Sequence, residues 1–139
     1  MDDRSLMQAA LEARRMAYAP YSGFTVGAAL LTRAGKLYTG CNIENASFSP
    51  TNCAERTAVF KAVSEGERAF SAIAIVGGKG DTLETVCAPC GVCRQVLSEF
   101  CNAELRVLLG TPEQIEVYTL GELLPISFSL DRGTIDENV

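Results

Sequence analysis

The chain has 139 residues, 47% of them hydrophobic, and its 17 acidic and 12 basic residues give a net charge of -5. This length is typical of one compact domain, so we expect residues 1–139 to form a single domain. The acidic balance argues against a nucleic-acid partner, because polynucleotide binders use a basic stripe to displace counterions. No apolar run is long enough to span a bilayer and the first residues lack a secretory pattern, so we expect a cytoplasmic protein.

Hydrophobic periodicity and turn residues predict four helices and five strands. In chain order these are a helix ending before Pro20, strands over 25–31 and 36–41, a helix over 53–64, a strand over 71–77, a helix over 90–101, strands over 105–109 and 115–118, and a short helix starting at Thr119. Thr51 or Asn52 is expected to cap the second helix, and the polar tail from Asp131 to Val139 is expected to fray. This order predicts an α/β fold, a three-layer α-β-α sandwich with a mixed five-stranded sheet.

Two short motifs contain the residues with the most distinctive chemistry. They are Cys53-Ala54-Glu55 and Pro89-Cys90-Gly91-Val92-Cys93, in a chain that has no histidine. Cys53, Cys90 and Cys93 are therefore the candidate ligands of one zinc ion. Three protein ligands leave a fourth position for water, which distinguishes a catalytic zinc from a structural one. The spacing follows the signature of zinc deaminases, with cysteine in place of histidine.

The predicted helix starts favour metal binding by these thiols. A helix N-terminus stabilises thiolate, and residues three apart such as Cys90 and Cys93 face the same side of a helix. Three thiolates on a divalent ion leave a net negative charge, which weakens the ion as an electrophile. We expect Arg56 to donate hydrogen bonds to a ligand sulfur and to offset this effect. Our hypothesis is that Arg56→Ala keeps the fold and lowers zinc affinity or turnover.

Glu55 is the predicted proton carrier. It lies two residues from Cys53, beside the ion rather than on it, and would take a proton from water and return it to the ring nitrogen and leaving amine of a substrate. A glutamate in the first turn of a helix more often only favours the helix dipole. The spacing from Cys53 is what raises Glu55 above that ordinary role.

Longer segments extend these motifs over most of the chain. They are Ala19-Pro20-Tyr21-Ser22, Phe24, Val26-Gly27-Ala28-Ala29-Leu30, Gly40-Cys41-Asn42-Ile43-Glu44-Asn45-Ala46, Cys53-Ala54-Glu55-Arg56-Thr57-Ala58, Pro89-Cys90-Gly91, Cys93-Arg94-Gln95-Val96 and Leu123-Leu124-Pro125. Together they resemble the small homotetrameric cytidine deaminases of pyrimidine salvage. The resemblance implies one zinc ion per subunit and the hydrolytic conversion of cytidine and 2′-deoxycytidine to uridine and 2′-deoxyuridine, with release of ammonia.

The resemblance also implies the substrate contacts. Asn42 and Glu44 would hold the ribose hydroxyls, and Phe24 would pack against the pyrimidine. The backbone N–H of Ala54 would bind the ring carbonyl oxygen. Phe128 would reach into the site of a neighbouring subunit, so that a homotetramer shares its sites. Without the resemblance, the two polar residues would ordinarily make local hydrogen bonds and the two phenylalanines would be core or interface aromatics.

The chain departs from the usual family pattern at several positions. Ala88 stands where serine is common, although its backbone carbonyl can still accept a hydrogen bond from the substrate amine. Val92 replaces a smaller residue between the cysteines, and Phe48 stands where tyrosine is usual. Residues 128–133 also differ from the common ending of the family.

Other interpretations remain open at this point. Within the enzyme class, a related aminonucleoside deaminase is the second candidate. Outside it, a non-enzymatic module with a structural zinc would need a fourth ligand from the spare thiols Cys41, Cys87 and Cys101, to which we assign no function. A redox pair would leave Cys53 and Glu55 without a role. Arg94 is either a solvated helix charge or a second support for the thiolates.

Overall fold

The elements of the fold come from a computed structural model that describes residues 1–130. They are α1 Asp3–Ala13, a 3₁₀ turn Arg14–Met16, β1 Phe24–Thr32, β2 Leu37–Cys41, α2 Ala54–Ser64, β3 Phe70–Lys79, β4 Thr82–Leu83, α3 Gly91–Phe100, β5 Arg106–Thr111, β6 Gln114–Thr119 and α4 Leu120–Leu123. The predicted fraying of residues 131–139 lies outside the described residues. Within residues 1–130 no helix has the length and apolar character needed to cross a membrane.

The sheet is mixed, as predicted. Its main order is β2-β1-β3-β5-β6, and the two-residue strand β4, which was not predicted, pairs with β3. β1 runs antiparallel to both of its neighbours, whereas β3 and β5 are parallel. Parallel strands need a long crossover connection, and the connection from β3 to β5 contains α3 with two of the candidate zinc ligands.

Alternation along the strands creates two cores, one on each face of the sheet. On one face α1 and the strands form a cluster of buried residues. It comprises Leu6, Met7, Ala10, Ala29, Ala72, Ala74, Val76 and Leu108. On the other face α2 and α3 cover a cluster that includes Leu30, Val59, Ile73, Ile75, Leu97 and Leu109. The three-layer α-β-α prediction is therefore confirmed, and the candidate zinc ligands belong to the second face.

The first helix ends earlier than predicted. It stops at Ala13, and Ala17 already has the extended dihedrals φ -60° and ψ 141°. The reason is backbone pairing, because Tyr18 forms a bridge with Ile43 and its N–H donates to the carbonyl of Asn42 at 3.0 Å. Tertiary pairing here overrides the helical pattern of the alanines.

The predicted side-chain cap of the second helix is wrong. Cys53 occupies the N-cap position, with φ -77° and ψ 156°, and makes no side-chain capping bond. The side chain of Asn52 donates instead to Thr57 Oγ1 at 3.1 Å, and that of Thr51 accepts the N–H of Asn45 at 3.1 Å. Both predicted caps are thus used to hold the loop that precedes Cys53.

Gly40 on β2 sets how closely α2 approaches the sheet. A Cβ atom at this position would lie 2.6 Å from the carbonyl oxygen of Ala54 and 2.6 Å from the nitrogen of Ala58. Ala54 and Ala58 are themselves fully buried. Small residues on both elements therefore bring the start of α2, and Cys53 with it, against the sheet.

We expect Gly40→Ala to lower the free energy of unfolding by about 1–3 kcal/mol, because the added methyl group must push α2 away from β2. Thermal and denaturant unfolding of the metal-free protein measure the change. Gly91→Ala is the matched control, since a Cβ atom there would meet nothing within 4 Å. An equal loss of stability in the two variants would contradict the close packing of α2.

Candidate active site

Three cysteine sulfurs converge where two helices begin. Cys53 is the N-cap of α2, Cys90 is the N-cap of α3, and Cys93 lies in the first turn of α3. The Sγ atoms of Cys53 and Cys90 are 3.8 Å apart, those of Cys90 and Cys93 are 3.4 Å apart, and all three lie within 4.8 Å of one another. Zinc–sulfur bonds of about 2.3 Å in a tetrahedral site place sulfurs about 3.8 Å apart. The donor set therefore fits one zinc ion.

No fourth protein ligand joins these sulfurs in the part of the chain that the structure describes. The three remaining cysteines lie outside the cluster, and burial raises the pKa of Cys87 to about 11 and that of Cys101 to about 12. Such thiols stay protonated near neutral pH, whereas zinc binds thiolate. The geometry thus favours an open fourth position over a closed structural site.

Arg56 contacts the ligand sulfurs, as predicted from its place beside Glu55. Its Nη2 atom donates to Cys53 Sγ at 3.2 Å. In the metal-free chain the pKa of Cys53 is lowered to about 5, first because the Cys93 thiol donates to it and then because Arg56 does. Arg56 Nε is buried and has no hydrogen-bond partner among residues 1–130. A buried donor of this kind fits a site where additional negative charge is expected on the sulfurs.

Glu55 is a buried acid next to this cluster. Only 5% of its surface is exposed, and burial raises the pKa of its carboxyl group above the usual range. The negative charge of Cys53 raises this pKa further. A raised pKa lets a carboxyl group hold a proton more readily than an exposed glutamate does, which suits a general acid–base.

Glu55 lines a pocket of about 210 Å³, and most of the predicted site residues line the same pocket. The lining residues are Phe24, Val26, Asn42, Thr51, Asn52, Cys53, Ala54, Glu55, Cys87, Ala88 and Cys90. Phe24, Asn42 and Ala54, which come from three distant segments, are brought together with two of the cysteines. Val26 and Cys87 were not predicted to line it. The sequence offered one indication that Cys87 belongs to the site, its position shortly before Pro89-Cys90. A buried cysteine of the core could occupy that position equally well.

Glu44 lies in an adjoining pocket of about 300 Å³, which is lined by Tyr21, Ser22, Glu44, Phe48 and Thr51. Its carboxylate accepts the N–H groups of Tyr21 and Ser22 at 2.9 and 3.1 Å, and also the hydroxyl of Ser22. These hydrogen bonds, first that of the Ser22 hydroxyl, lower the pKa of Glu44. The residue is therefore an anion with a fixed orientation.

Asn42 is tied to β1 through both ends of its amide. Its Oδ1 atom accepts the N–H of Val26 at 2.8 Å, and its Nδ2 atom donates to the carbonyl of Phe24 at 2.8 Å. An asparagine amide has two donor hydrogens and two acceptor lone pairs. One donor and one acceptor therefore remain, and the same side chain orients the backbone of Phe24.

Arg94 has neither of the two roles that the sequence left open, a solvated helix charge or a second support for the thiolates. Its Nε atom donates to the carbonyl of Pro89 at 2.8 Å, and its Nη1 atom donates to that of Leu123 at 2.7 Å. The next residue, Gln95, donates to the carbonyl of Phe128 at 2.8 Å. The helix that begins with two candidate ligands thus also holds the C-terminal segment. Phe128 itself is 67% exposed and does not line the pocket of its own chain.

Comparison with known proteins identifies the family of this site. The family profile of the cytidine and deoxycytidylate deaminase zinc-binding region matches residues 1–109. The chain belongs to this deaminase family. A cytidine deaminase from Sporosarcina psychrophila is 53% identical over 130 residues, which cover 93% of this chain and 93% of that protein. The predictions of a zinc cofactor and of a cytidine deaminase-like fold are thereby confirmed.

Two further relatives bear on the fold and on substrate choice. The solved structure of a cytidine deaminase from Burkholderia pseudomallei superposes with a TM-score of 0.85 and 48% identity, covering 92% of this chain and 100% of that chain. A blasticidin-S deaminase from Bacillus cereus is 30% identical over 131 residues, which are 91% of this chain and 92% of that protein. The relatives of this chain thus include proteins named for cytidine and a protein named for blasticidin S.

We expect Arg56→Gln to lower zinc affinity by about ten- to a hundredfold, because outer hydrogen bonds to metal ligands have effects of this size. Competition with a chromogenic chelator measures the affinity. Arg15→Gln removes an equal charge from the exposed 3₁₀ turn and is the control. Equal zinc affinity in the two variants would show that the bond from Arg56 to Cys53 does not support the metal.

Proposed function

We propose that the chain is a zinc-dependent hydrolase that converts cytidine and 2′-deoxycytidine, with water, to uridine and 2′-deoxyuridine and ammonia. The observation that carries this proposal is the cluster of three cysteine sulfurs, two of which belong to residues that line one small pocket together with the buried Glu55. We further propose that residues 1–139 form a single catalytic domain that acts on free nucleosides in the cytoplasm. The six free cysteines suit a reducing compartment, and the net charge of -5 suits a ligand other than nucleic acid.

In this mechanism Cys53, Cys90 and Cys93 would hold zinc as thiolates. Bound zinc supplies an electrophilic centre that makes water acidic near neutral pH. Glu55 accepts the proton of the attacking water while a carbon–oxygen bond forms at the amine-bearing ring carbon. The same carboxyl group passes that proton to the ring nitrogen. It then takes the remaining proton of the new hydroxyl group and delivers it to the amine, so that a carbonyl forms as the carbon–nitrogen bond breaks and ammonia leaves. Its burial keeps the carboxyl group close to these transfers.

The proposed substrate contacts use groups with hydrogen-bonding capacity left over. The N–H of Ala54 lies at the first helical position of α2, where it has no partner within the helix, and would bind the ring carbonyl oxygen. Phe24 would pack against the pyrimidine. Asn42 and Glu44 would bind the ribose hydroxyls with their remaining donor and acceptor sites. The two adjoining pockets share Thr51 and offer separate space for base and sugar.

The proposed assembly is a homotetramer in which subunits complete one another's sites. Ile126, Phe128 and Leu130 alternate along the C-terminal segment and are 92%, 67% and 76% exposed. An exposed apolar row of this kind is typical of a protein–protein contact. Phe128 would enter the pocket of a neighbouring subunit, since it is held by Gln95 away from the pocket of its own chain.

A related aminonucleoside deaminase is the second candidate, which the similarity to the blasticidin-S deaminase supports. The ratio of kcat/KM for cytidine to that for blasticidin S decides between the two. Cytidine is expected to be the better substrate, because the segment Asn42-Ile43-Glu44-Asn45, with its two proposed ribose ligands, favours a plain nucleoside. A preference for the aminonucleoside would reverse the order of the two candidates.

Glu55→Gln is expected to lower ammonia release from cytidine by at least about 10²–10⁴-fold, the usual contribution of a general acid–base. Zinc content should stay at one ion per chain, because the glutamine is nearly isosteric and does not replace a ligand. Glu104→Gln, at an exposed position, is the control and should keep full activity. Full activity in Glu55→Gln would exclude the proposed proton carrier.

Phe128→Ala is expected to lower kcat/KM without loss of zinc, because it removes a residue proposed to complete a neighbour's pocket. Phe60→Ala removes another exposed ring, on α2, and should leave kcat/KM unchanged. Sedimentation equilibrium should show four chains per particle. A particle of one chain at assay concentration would contradict shared sites even if the activity were intact.

A further inference from the structure

Gly77 and Cys87 meet beside the substrate pocket. A Cβ atom on Gly77, near the end of β3, would lie 2.5 Å from Cys87 Sγ. The same Cβ atom would lie 3.1 Å from Val26 Cγ2 and 3.2 Å from Phe24 Cε1. Three side chains therefore converge on the space that a side chain at position 77 would take, and the sulfur of Cys87 comes closest.

These three side chains are also walls of the pocket that contains Glu55. Phe24, Val26 and Cys87 all line it, whereas Gly77 lies behind them on the sheet. Protein interiors are close-packed, so an atom added behind a wall displaces the wall. Cys87 both lines the pocket and has its sulfur 2.5 Å from the place of a Cβ atom on Gly77, so an atom added there would push Cys87 and change the width of the pocket.

Gly78, the next residue of β3, must be a glycine for a different structural reason. A Cβ atom on Gly78 would collide with the carbonyl oxygen of Thr82, in the hairpin where β3 pairs with β4. Successive residues of a strand face opposite sides of the sheet. Gly78 therefore permits the hairpin, and Gly77 is the glycine whose missing side chain bears on the pocket.

We propose that Gly77 and Cys87 form a size-matched pair that sets the width of the base pocket beside Phe24 and Glu55, and so determines which pyrimidines the enzyme accepts. Cys87 acts as a wall through its size and takes no part in proton transfer or metal binding. This inference rests on the proposed function. Ammonia release from cytidine by the unsubstituted chain tests that function separately, before any variant is compared.

The first test adds a methyl group at position 77 of the zinc-loaded enzyme and then removes the sulfur at position 87. Gly77→Ala should raise KM for cytidine about tenfold, the low end of what one methyl group changes in a pocket. The combined substitution Gly77→Ala and Cys87→Ala should return KM toward the unsubstituted value, because the sulfur that the methyl group displaces is gone. Cys101→Ala, a thiol outside the pocket, is the control and should not change KM. A KM in the combined variant as high as in Gly77→Ala overturns the proposal.

The second test does not depend on the stability of Gly77→Ala. Cys87→Ala alone should widen the pocket and raise kcat/KM for 5-methylcytidine relative to cytidine by about tenfold. An unchanged substrate ratio shows that Cys87 does not bound the substrate and overturns the proposal.

Discussion

The approach of three cysteine sulfurs within 4.8 Å is the constraint on which the site and its surroundings depend. Thiolates at such distances repel one another, by about 4 kcal/mol for a pair 4 Å apart at an effective dielectric constant of 20. A divalent cation, the starts of α2 and α3 and the guanidinium of Arg56 all oppose this repulsion. The fold must therefore bring the N-termini of α2 and α3 close together. The small residues where α2 packs on β2 allow this close approach.

Much of the fold followed from local patterns. Periodicity located the main strands and helices, and the capping box of Thr119 and Glu122 marks the start of α4 as predicted. The metal cluster of Cys53, Cys90 and Cys93 could be predicted because the two motifs together match the signature of zinc deaminases. Local pattern was informative wherever the residue and its partner lie on the same element or motif.

Pairing between distant segments could not be predicted in this way. The bridge from Tyr18 to Ile43 ends α1 early, and the contacts of Arg94 with two carbonyls depend on where α4 lies. Cys87 lines the pocket next to Gly77 of β3, where a Cβ atom would lie 2.5 Å from its sulfur. Each of these contacts joins segments whose distance in space is set by the whole sheet.

Asn42 and Glu44, in the loop before α2, hold residues 21–26 in place through hydrogen bonds. Their side chains bind the backbone of Tyr21, Ser22, Phe24 and Val26, so the polar groups proposed for the sugar also hold the segment that carries the aromatic ring. Rigid groups lose less conformational entropy when a ligand binds. A substitution at either position therefore disturbs the pocket in the free protein as well as any contact with a sugar.

The unequal burial of the six sulfurs has a consequence for loading the correct ion. Burial raises the pKa of Cys41, Cys87 and Cys101, so these thiols hold their protons, whereas hydrogen bonds from Cys93 and Arg56 lower the pKa of Cys53 to about 5. Soft cations compete for thiolate rather than thiol. An incoming ion therefore meets its first thiolate at Cys53, which has a lowered pKa and belongs to the three-sulfur cluster.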